Sequence, residues 1–204
     1  VRMALMARGL AYGYTEIDSF DAAQAEALRA RHPFGRVPVL DDGGFRLWET
    51  QAILEYVDTL AEGASLSPPE PRARARMRQV MGIADNYVYG PLVRQAVSHA
   101  IFLPQEDADS ARAMTIIAAG LAKAPALMAV LDTLAQEGMI LVPGKLTLAD
   151  CHLWPMLDYV CMIPQGAEIL QAHAALSAWA EAMRAHPVAR ATRPDLGQTG
   201  ETFP

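Results

Sequence analysis

The stretch of sequence that decides the fold is RVPVLDDGGFRLWETQAI, residues 36–53. It predicts a short buried strand over 37–40, a tight turn at 42–44, a partner strand over 45–47 and a helix that begins at Thr50. Each part has a use if the site binds a small peptide. Pro38 would present the backbone of Val37, and the helix start would hold a carboxylate. The stretch is therefore the primary candidate for a binding site.

Working outward, the chain divides into two parts. Residues 1–62 predict a small α/β domain of helix (1–9), strand (10–17), helix (22–31), the hairpin, and a helix over 50–61. Residues 63–71, rich in proline and serine, predict a linker. Residues 72–204 predict an all-helical domain, with helices over 72–100, 110–138, 147–160 and 174–185 and an irregular tail from Thr192. Gly90 and Pro91 predict a bend in the first of these helices.

The start of the sequence predicts that residues upstream of Val1 belong to the same domain. Residues 1–9 read as a helix that ends at Gly9 but has no capping residue at its front. A strand before this helix would complete a β-α-β unit, which a lone leading helix cannot do. We therefore expect the first strand of the small domain to lie upstream of Val1.

Bulk properties exclude several classes of function. The chain has 204 residues and a formal net charge of −6, whereas nucleic-acid binding usually needs a basic face. Apolar runs are interrupted before membrane-spanning length, and no secretory signal is recognisable, so we expect neither a transmembrane helix nor export. Cys151 and Cys161 form no C-x-x-C pair, which favours a reducing, cytoplasmic setting. The five histidines have no metal-site spacing.

Three positions in residues 36–53 are candidate ligand contacts, and each has a structural alternative. A cis Val37–Pro38 bond would turn the Val37 backbone toward a ligand, whereas Pro38 could equally be a plain edge-strand proline. Thr50 and the free amides of the helix start would hold a carboxylate, and Glu49 an ammonium group; alternatively Thr50 merely caps the helix. Arg36 would pair with a second carboxylate or is simply solvated.

The motifs in their order along the chain resemble the glutathione transferase family. The motifs are HPFGRVPVL at 32–40, ETQAILEY at 49–56 and LTLAD at 146–150, followed by Trp179, Met183 and Pro187-Val188. In the LTLAD motif, Thr147 and Asp150 form a capping box. The resemblance spans residues 1 to about 190. It implies a thioredoxin-like N-terminal domain packed on a helical-bundle C-terminal domain.

The resemblance also implies roles for the candidate residues. Glu49 and Thr50 would hold the γ-glutamyl end of glutathione, the co-substrate. Val37, before a cis Pro38, would pair with the cysteinyl backbone, and Arg36 would meet the glycyl carboxylate. No metal is implied.

One position departs from the family pattern, and one family residue has no counterpart in residues 1–204. His32 stands where the family usually has Asn. The Tyr, Ser or Cys that stabilises the glutathione thiolate in the family would lie upstream of Val1, so the catalytic residue is unknown here. Tyr12 and Tyr14 follow the first helix and do not match that position.

Together, the residues and the resemblance predict a cytoplasmic enzyme that conjugates glutathione to a small apolar electrophile, as in detoxification. That the enzyme is a homodimer is implied by the resemblance alone. Tyr87, Tyr89 and Arg94 are candidate walls of an acceptor pocket, or ordinary helix surface. One alternative is a glutathione-dependent redox enzyme, dehalogenase, etherase or isomerase on the same fold. Another is a non-catalytic docking or stress-response module. Nucleic acid and membrane are not expected as partners.

Overall fold

The computed structural model describes residues 1–17, 21–103, 107 and 110–194. Its helices and strands are α1 (Arg2–Ala7), α2 (Ala22–Arg29), β1 (Val39–Asp42), β2 (Phe45–Trp48), α3 (Thr50–Leu60), α4 (Pro71–Ile83), a π-helical segment (Ala84–Val97), α5 (Ser98–Ile101), α6 (Ala111–Leu121), α7 (Ala124–Gln136), α8 (Leu148–Val160), α9 (Pro164–Gln171), α10 (Ala174–Ala185) and α11 (Pro187–Thr192). Most of the predicted irregular tail lies outside the described residues, and Thr192 itself ends α11.

The predicted β-hairpin is present, and its turn explains where it forms. Strands β1 and β2 pair antiparallel, with Val39 opposite Trp48. Gly43 and Gly44 have φ values of 55° and 95°, a left-handed backbone that glycine adopts without steric cost. Strand β1 begins at Val39 rather than at residue 37, since Pro38 has no N–H to contribute to the ladder.

The predicted strand over residues 10–17 is wrong. This segment has no regular secondary structure, and Ala11 to Glu16 are exposed. A strand needs a neighbour that pairs with its N–H and C=O groups. In the described part of the chain, the sheet consists of β1 and β2, which pair with each other. Neither described strand pairs with residues 10–17, so Tyr12 and Tyr14 lie outside the described sheet.

The long helix of the second part is unbroken from Pro71 to Ile101 and runs through Gly90 and Pro91, where the sequence predicts a bend. The bend itself stays a prediction. Its middle is a π-helical segment that contains Pro91. Wider π spacing accommodates a residue that cannot donate to the helical ladder. Helix α6 packs closely there, since a Cβ added at Gly120 would lie 2.4 Å from the Pro91 carbonyl oxygen. Position 120 thus requires glycine for the approach of two backbones.

Helix α8 forms the centre of the helical part and begins with the predicted capping box. The Thr147 amide and hydroxyl donate to Asp150 Oδ2 at 2.6 and 2.5 Å. Trp179 of α10 donates its Nε1–H to Asp150 Oδ1 at 2.6 Å. Burial raises the pKa of Asp150 to about 6, against the effect of these donors. The capping box therefore also joins α8 to α10.

A buried ion pair joins α1 to the end of α3. Arg8 Nε lies 3.2 Å from Asp58 Oδ1, and both side chains are 5% exposed. The Asp58 carboxylate also accepts hydrogen bonds from Ser65 Oγ and from the amides of Leu66 and Ser67, at 2.6, 2.8 and 3.1 Å. Burial acts to raise the pKa of Asp58, but these hydrogen bonds outweigh it and hold the pKa below its ordinary value. The pair therefore fixes the segment that enters the helical part.

Helices α6 and α7 carry an exposed apolar surface. By length and composition alone, the region Ala111–Gln136 could cross a membrane: an 18-residue window has a mean hydropathy of 1.8, and 22% of that window is buried. However, a turn at Ala122–Lys123 divides the region into helices of 11 and 13 residues. Each is shorter than the roughly 20 residues that a membrane span requires.

Candidate glutathione-binding site

A large cavity brings three of the predicted site residues together. Val37, Pro38 and Thr50 line one cavity of about 1140 Å³. Its other walls include α1, the segment 10–17 and α8, where His152 lies. Arg36 and Glu49 do not line it, although each is the direct neighbour of a residue that does. The hairpin and the start of α3 therefore face the same space.

The Val37–Pro38 peptide bond is cis, as the resemblance implied. Val37 is 57% exposed, and no described residue forms a hydrogen bond with its backbone N–H or C=O. Its backbone N–H and C=O are therefore unpaired among the described residues, and Val37 itself lines the cavity. A peptide placed there could form the two backbone hydrogen bonds of an added strand.

The start of α3 has the backbone of an anion site. Glu49 is the N-cap residue but makes no side-chain capping bond, and Thr50 is the first helical residue. The alternative that Thr50 merely caps the helix is therefore wrong. Glu49 has a φ of 72°, a strained value for a residue other than glycine, and such strain tends to cluster at functional sites. The first amides of α3, the Thr50 hydroxyl and the positive end of the helix dipole are available to a carboxylate.

The contacts of His32 show how a histidine can stand where the family usually has Asn. Its side chain is buried, and its Nδ1 accepts a hydrogen bond from the Phe34 amide at 3.1 Å. An Asn side chain commonly makes this bond to the amide two residues ahead. The imidazole also packs against Trp48, with ring centroids 5.3 Å apart. His32 thus holds the turn before Arg36, which is exposed and has no described carboxylate within 4.0 Å.

Sequence reasoning missed a polar bridge behind the start of α3. Gln51 Nε2 donates to Asp85 Oδ2 at 2.6 Å, and His152 Nε2 lies 2.7 Å from Asp85 Oδ1. Burial acts to raise the pKa of Asp85, but the hydrogen bonds from His152 and Gln51 outweigh it and lower the pKa. The position of Gln51 directly after Thr50 could have identified Gln51 as a candidate residue of the site. Nothing in the sequence pairs Asp85 with His152, which follows 67 residues later.

The three predicted acceptor-pocket residues lie on the π-helical segment. Tyr87 and Tyr89 are 60% and 38% exposed, and Arg94 is also exposed. None of them lines the large cavity. The prediction that they bind the acceptor therefore remains a prediction.

The two cysteines are poor nucleophiles. Burial raises the pKa of Cys151 to about 12, and it also raises the pKa of Cys161. Both are free thiols. Within the described residues, no group of three or more His, Cys, Asp or Glu side chains is arranged to hold a metal ion.

Comparison with known proteins identifies the family. The glutathione S-transferase N-terminal domain model matches residues 1–60, and the C-terminal domain model matches residues 93–190. A glutathione S-transferase from Silene vulgaris is 29% identical over 196 residues, covering 92% of this chain and 87% of the relative. A maleylacetoacetate isomerase from Rhizobium meliloti is 32% identical over 170 residues, covering 81% and 73%. The chain belongs to the glutathione S-transferase family.

Further comparisons show how much of a relative's length this chain spans and which solved structures share its fold. Glutathione S-transferase F14 of Arabidopsis thaliana is 28% identical over 167 residues, and this chain spans 63% of its length. A structure of glutathione S-transferase-I bound with lactoylglutathione matches with a TM-score of 0.78 and 21% identity, over 93% of this chain and 90% of that one. A theta-class enzyme from Xanthomonas axonopodis with glutathione bound matches with a TM-score of 0.76 and 24% identity, over 94% and 89%. The predicted fold, a thioredoxin-like domain followed by a helical bundle, is confirmed.

Proposed function

We propose that this chain binds glutathione in the large cavity and conjugates its thiolate to a small apolar electrophile. The observation that carries the proposal is that Val37, Pro38 and Thr50 line one cavity, in a chain of the glutathione S-transferase family. The start of α3 would bind the γ-glutamyl carboxylate, and the Val37 backbone would pair with the cysteinyl unit. Glu49 and Arg36, at the rim, would meet the γ-glutamyl ammonium group and the glycyl carboxylate.

The chemistry requires that the bound thiol ionises. A free thiol has a pKa of about 8.5, so most of it is protonated at neutral pH, and the thiolate is the nucleophile. Conjugation forms a bond between this sulfur and an electrophilic carbon, with loss of a leaving group or protonation of the adduct. We assign none of the described residues to stabilise the thiolate. The exposed surface of Tyr87, Tyr89 and Arg94 is proposed as part of the acceptor site.

Replacing Thr50 with alanine is expected to weaken binding of S-hexylglutathione about ten- to a hundredfold, as for loss of a hydrogen bond to a charged group. Isothermal titration calorimetry measures the affinity. Thr59→Ala is the matched control on the same helix, since the described bonding of the exposed Thr59 hydroxyl is local, to the Tyr56 carbonyl at 2.7 Å. The control is expected to bind like the wild type. Absence of heat from the folded wild type at millimolar ligand would refute the proposed function.

Activity of a Glu49→Ala variant separates an enzyme from a docking module. If glutathione chemistry is the function, loss of the Glu49 carboxylate lowers turnover of a thiol acceptor and lowers activity in cells. A non-catalytic module would fold normally, turn over no acceptor and keep its cellular activity after the same substitution.

Isomerisation is the second candidate reaction, favoured by the 32% identical maleylacetoacetate isomerase. A glutathione thiolate can add reversibly to an activated cis double bond, allow rotation about the resulting single bond, and leave again to give the trans product. This cycle consumes no glutathione, whereas conjugation consumes one thiol for each product. Thiol titration during turnover of a cis enedione and of an aryl halide distinguishes the two reactions.

We further propose that the enzyme is a cytoplasmic homodimer that uses the exposed apolar surface of α6 and α7. Met114 and Val130 are 57% and 50% exposed. The residues Ala118, Ala122 and Ala126 between them are also exposed and are small enough to allow close helix approach. A large exposed apolar surface commonly marks a protein interface, and a two-fold axis would pair this surface with its own copy.

The variant with both Met114→Glu and Val130→Glu is expected to be monomeric, because two carboxylates in each copy would meet at the centre of the interface. Light scattering coupled to size-exclusion chromatography gives the mass. Met6→Glu is a matched control, since Met6 is 45% exposed on α1, and this variant is expected to stay dimeric. A wild type that is monomeric at micromolar concentration would contradict the proposed dimer.

A further inference from the structure

The polar bridge formed by Gln51, Asp85 and His152 joins three elements at one point. Gln51 lies in the first turn of α3, Asp85 in the π-helical segment and His152 in α8. Both Asp85 oxygens are used, one by Gln51 at 2.6 Å and one by His152 at 2.7 Å. The first turn of α3 is therefore tied to two helices of the C-terminal part through a single carboxylate.

Among the described residues, the side-chain hydrogen bonding of His152 is confined to Asp85. It is 1% exposed, and its Nδ1 has no hydrogen-bond partner among the described residues. A neutral imidazole has one donor and one acceptor nitrogen. Nε2 donates to Asp85, so the one described hydrogen bond of this buried ring is the bond to that carboxylate. A buried polar side chain with so specific a contact restrains the position of its partner.

The start of α3 needs such a restraint. No side-chain capping bond closes this helix end, and uncapped helix ends fray. A conventional cap would occupy the amides that a ligand carboxylate needs. The bridge acts through the Gln51 side chain instead, so it can hold the first turn while leaving the amides and the Thr50 hydroxyl available.

We propose that His152, acting through Asp85 and Gln51, positions the start of α3 to bind the γ-glutamyl carboxylate of glutathione. His152 is thus a positioning residue: it lies in the wall of the cavity, and its role in recognition runs through Asp85 and Gln51. The inference rests on the proposed function, since it specifies how the same site is held in its binding geometry. It predicts that damage to the bridge weakens recognition of the γ-glutamyl unit and leaves recognition of the rest of the peptide intact.

The test compares two ligands on bridge variants of the full chain. S-hexylglutathione carries the γ-glutamyl unit and S-hexylcysteinylglycine lacks it. His152→Leu is expected to weaken binding of the first ligand about three- to thirtyfold, the range of coupling within one hydrogen-bonded network. Binding of the second ligand is expected to stay unchanged. His152→Gln, whose side-chain amide can still donate to Asp85, is expected to recover most of the affinity.

Gln51→Ala provides a second route to the same answer if His152→Leu does not fold. Gln51→Ala is expected to weaken S-hexylglutathione binding to a similar degree. Where His152→Leu does fold, the double variant with both His152→Leu and Gln51→Ala is expected to bind S-hexylglutathione about as weakly as either single variant. Gln136→Ala is the matched control, because Gln136 makes an equivalent 2.6 Å bond to Asp132 far along α7.

The outcomes separate the two proposals. If the wild type does not bind S-hexylglutathione, both the proposed function and this inference are overturned. If the wild type binds and the bridge variants bind equally well, the inference alone is overturned. It is also overturned if both ligands lose affinity by the same factor, because that result indicates general damage to the site.

Discussion

Replacing Asp58 with alanine is expected to lower the free energy of unfolding by about 3 to 5 kcal/mol, the range for breaking a buried ion pair at one partner. The variant leaves the Arg8 guanidinium, whose side chain is 5% exposed, without its anion. It also removes the acceptor for the amides of Leu66 and Ser67. Urea denaturation followed by circular dichroism measures the loss.

Asp41→Ala is the matched control for this prediction. Asp41 also pairs with arginines, Arg46 at 2.7 Å and Arg31 at 3.8 Å, but its side chain is 40% exposed. Exposed pairs typically contribute less than about 1 kcal/mol. An Asp58→Ala loss no larger than that of Asp41→Ala would show that the buried pair does not stabilise the junction of the two parts.

The contribution of Asp58 should also depend on pH in a defined direction. Its pKa is lowered in the folded protein, so the folded state favours the carboxylate more than the unfolded chain does. The resulting stability is fully present above the unfolded pKa of about 3.9 and is lost as the pH falls through the lowered value. The Asp58→Ala variant is therefore expected to show a shallower loss of stability below about pH 4 than the wild type.

Replacing Asp150 with alanine is expected to destabilise the protein by about 3 to 5 kcal/mol, since each buried donor left unsatisfied costs about 1 to 3 kcal/mol. The variant leaves the Thr147 amide and Trp179 Nε1–H without their acceptor. It also removes the link between α8 and α10, the latter of which packs its fully buried Trp179 against Trp154. Urea denaturation followed by tryptophan fluorescence measures the combined loss in the free energy of unfolding.

Ser110→Ala is the control for the capping component of the Asp150 prediction. Ser110 caps α6 by accepting from the Ala113 amide at 3.2 Å, and it is exposed. Its loss is expected to cost about 1 kcal/mol, the usual value of a helix cap. Equal losses for Ser110→Ala and Asp150→Ala would mean that Asp150 acts as a cap only.

The sequence predicted the features that depend on residues close together along the chain. The glycine turn of the hairpin and the Thr147–Asp150 capping box are local, because a few residues fix both geometry and hydrogen bonding. Local signals also located Thr50 at the start of a helix. Whether Glu49, Thr50 and Arg36 bind glutathione remains a prediction for the experiments above.

The features that escaped prediction depend on tertiary contacts. The segment 10–17 has strand-forming residues, but a strand also needs a partner, which its own sequence does not specify. The Arg8–Asp58 pair spans 50 residues, and nothing in either neighbourhood distinguishes these two charges from solvated ones. The π-helical spacing also escaped prediction, because Pro91 signals a disturbance of the helix but does not specify which helical spacing accommodates it.

The surroundings of the two cysteines have a consequence for a protein that is proposed to handle electrophiles: Cys151 is buried and Cys161 is half-buried. Because burial raises the pKa of both thiols, each forms its reactive thiolate less readily than a free cysteine does, and we expect slow reaction with alkylating agents. The reactive sulfur would then reside solely on the bound peptide, which leaves with the product after each turnover. Such an enzyme would be protected from inactivation by its own electrophilic substrates, because the sulfur that they alkylate belongs to glutathione, which is replaced after each turnover.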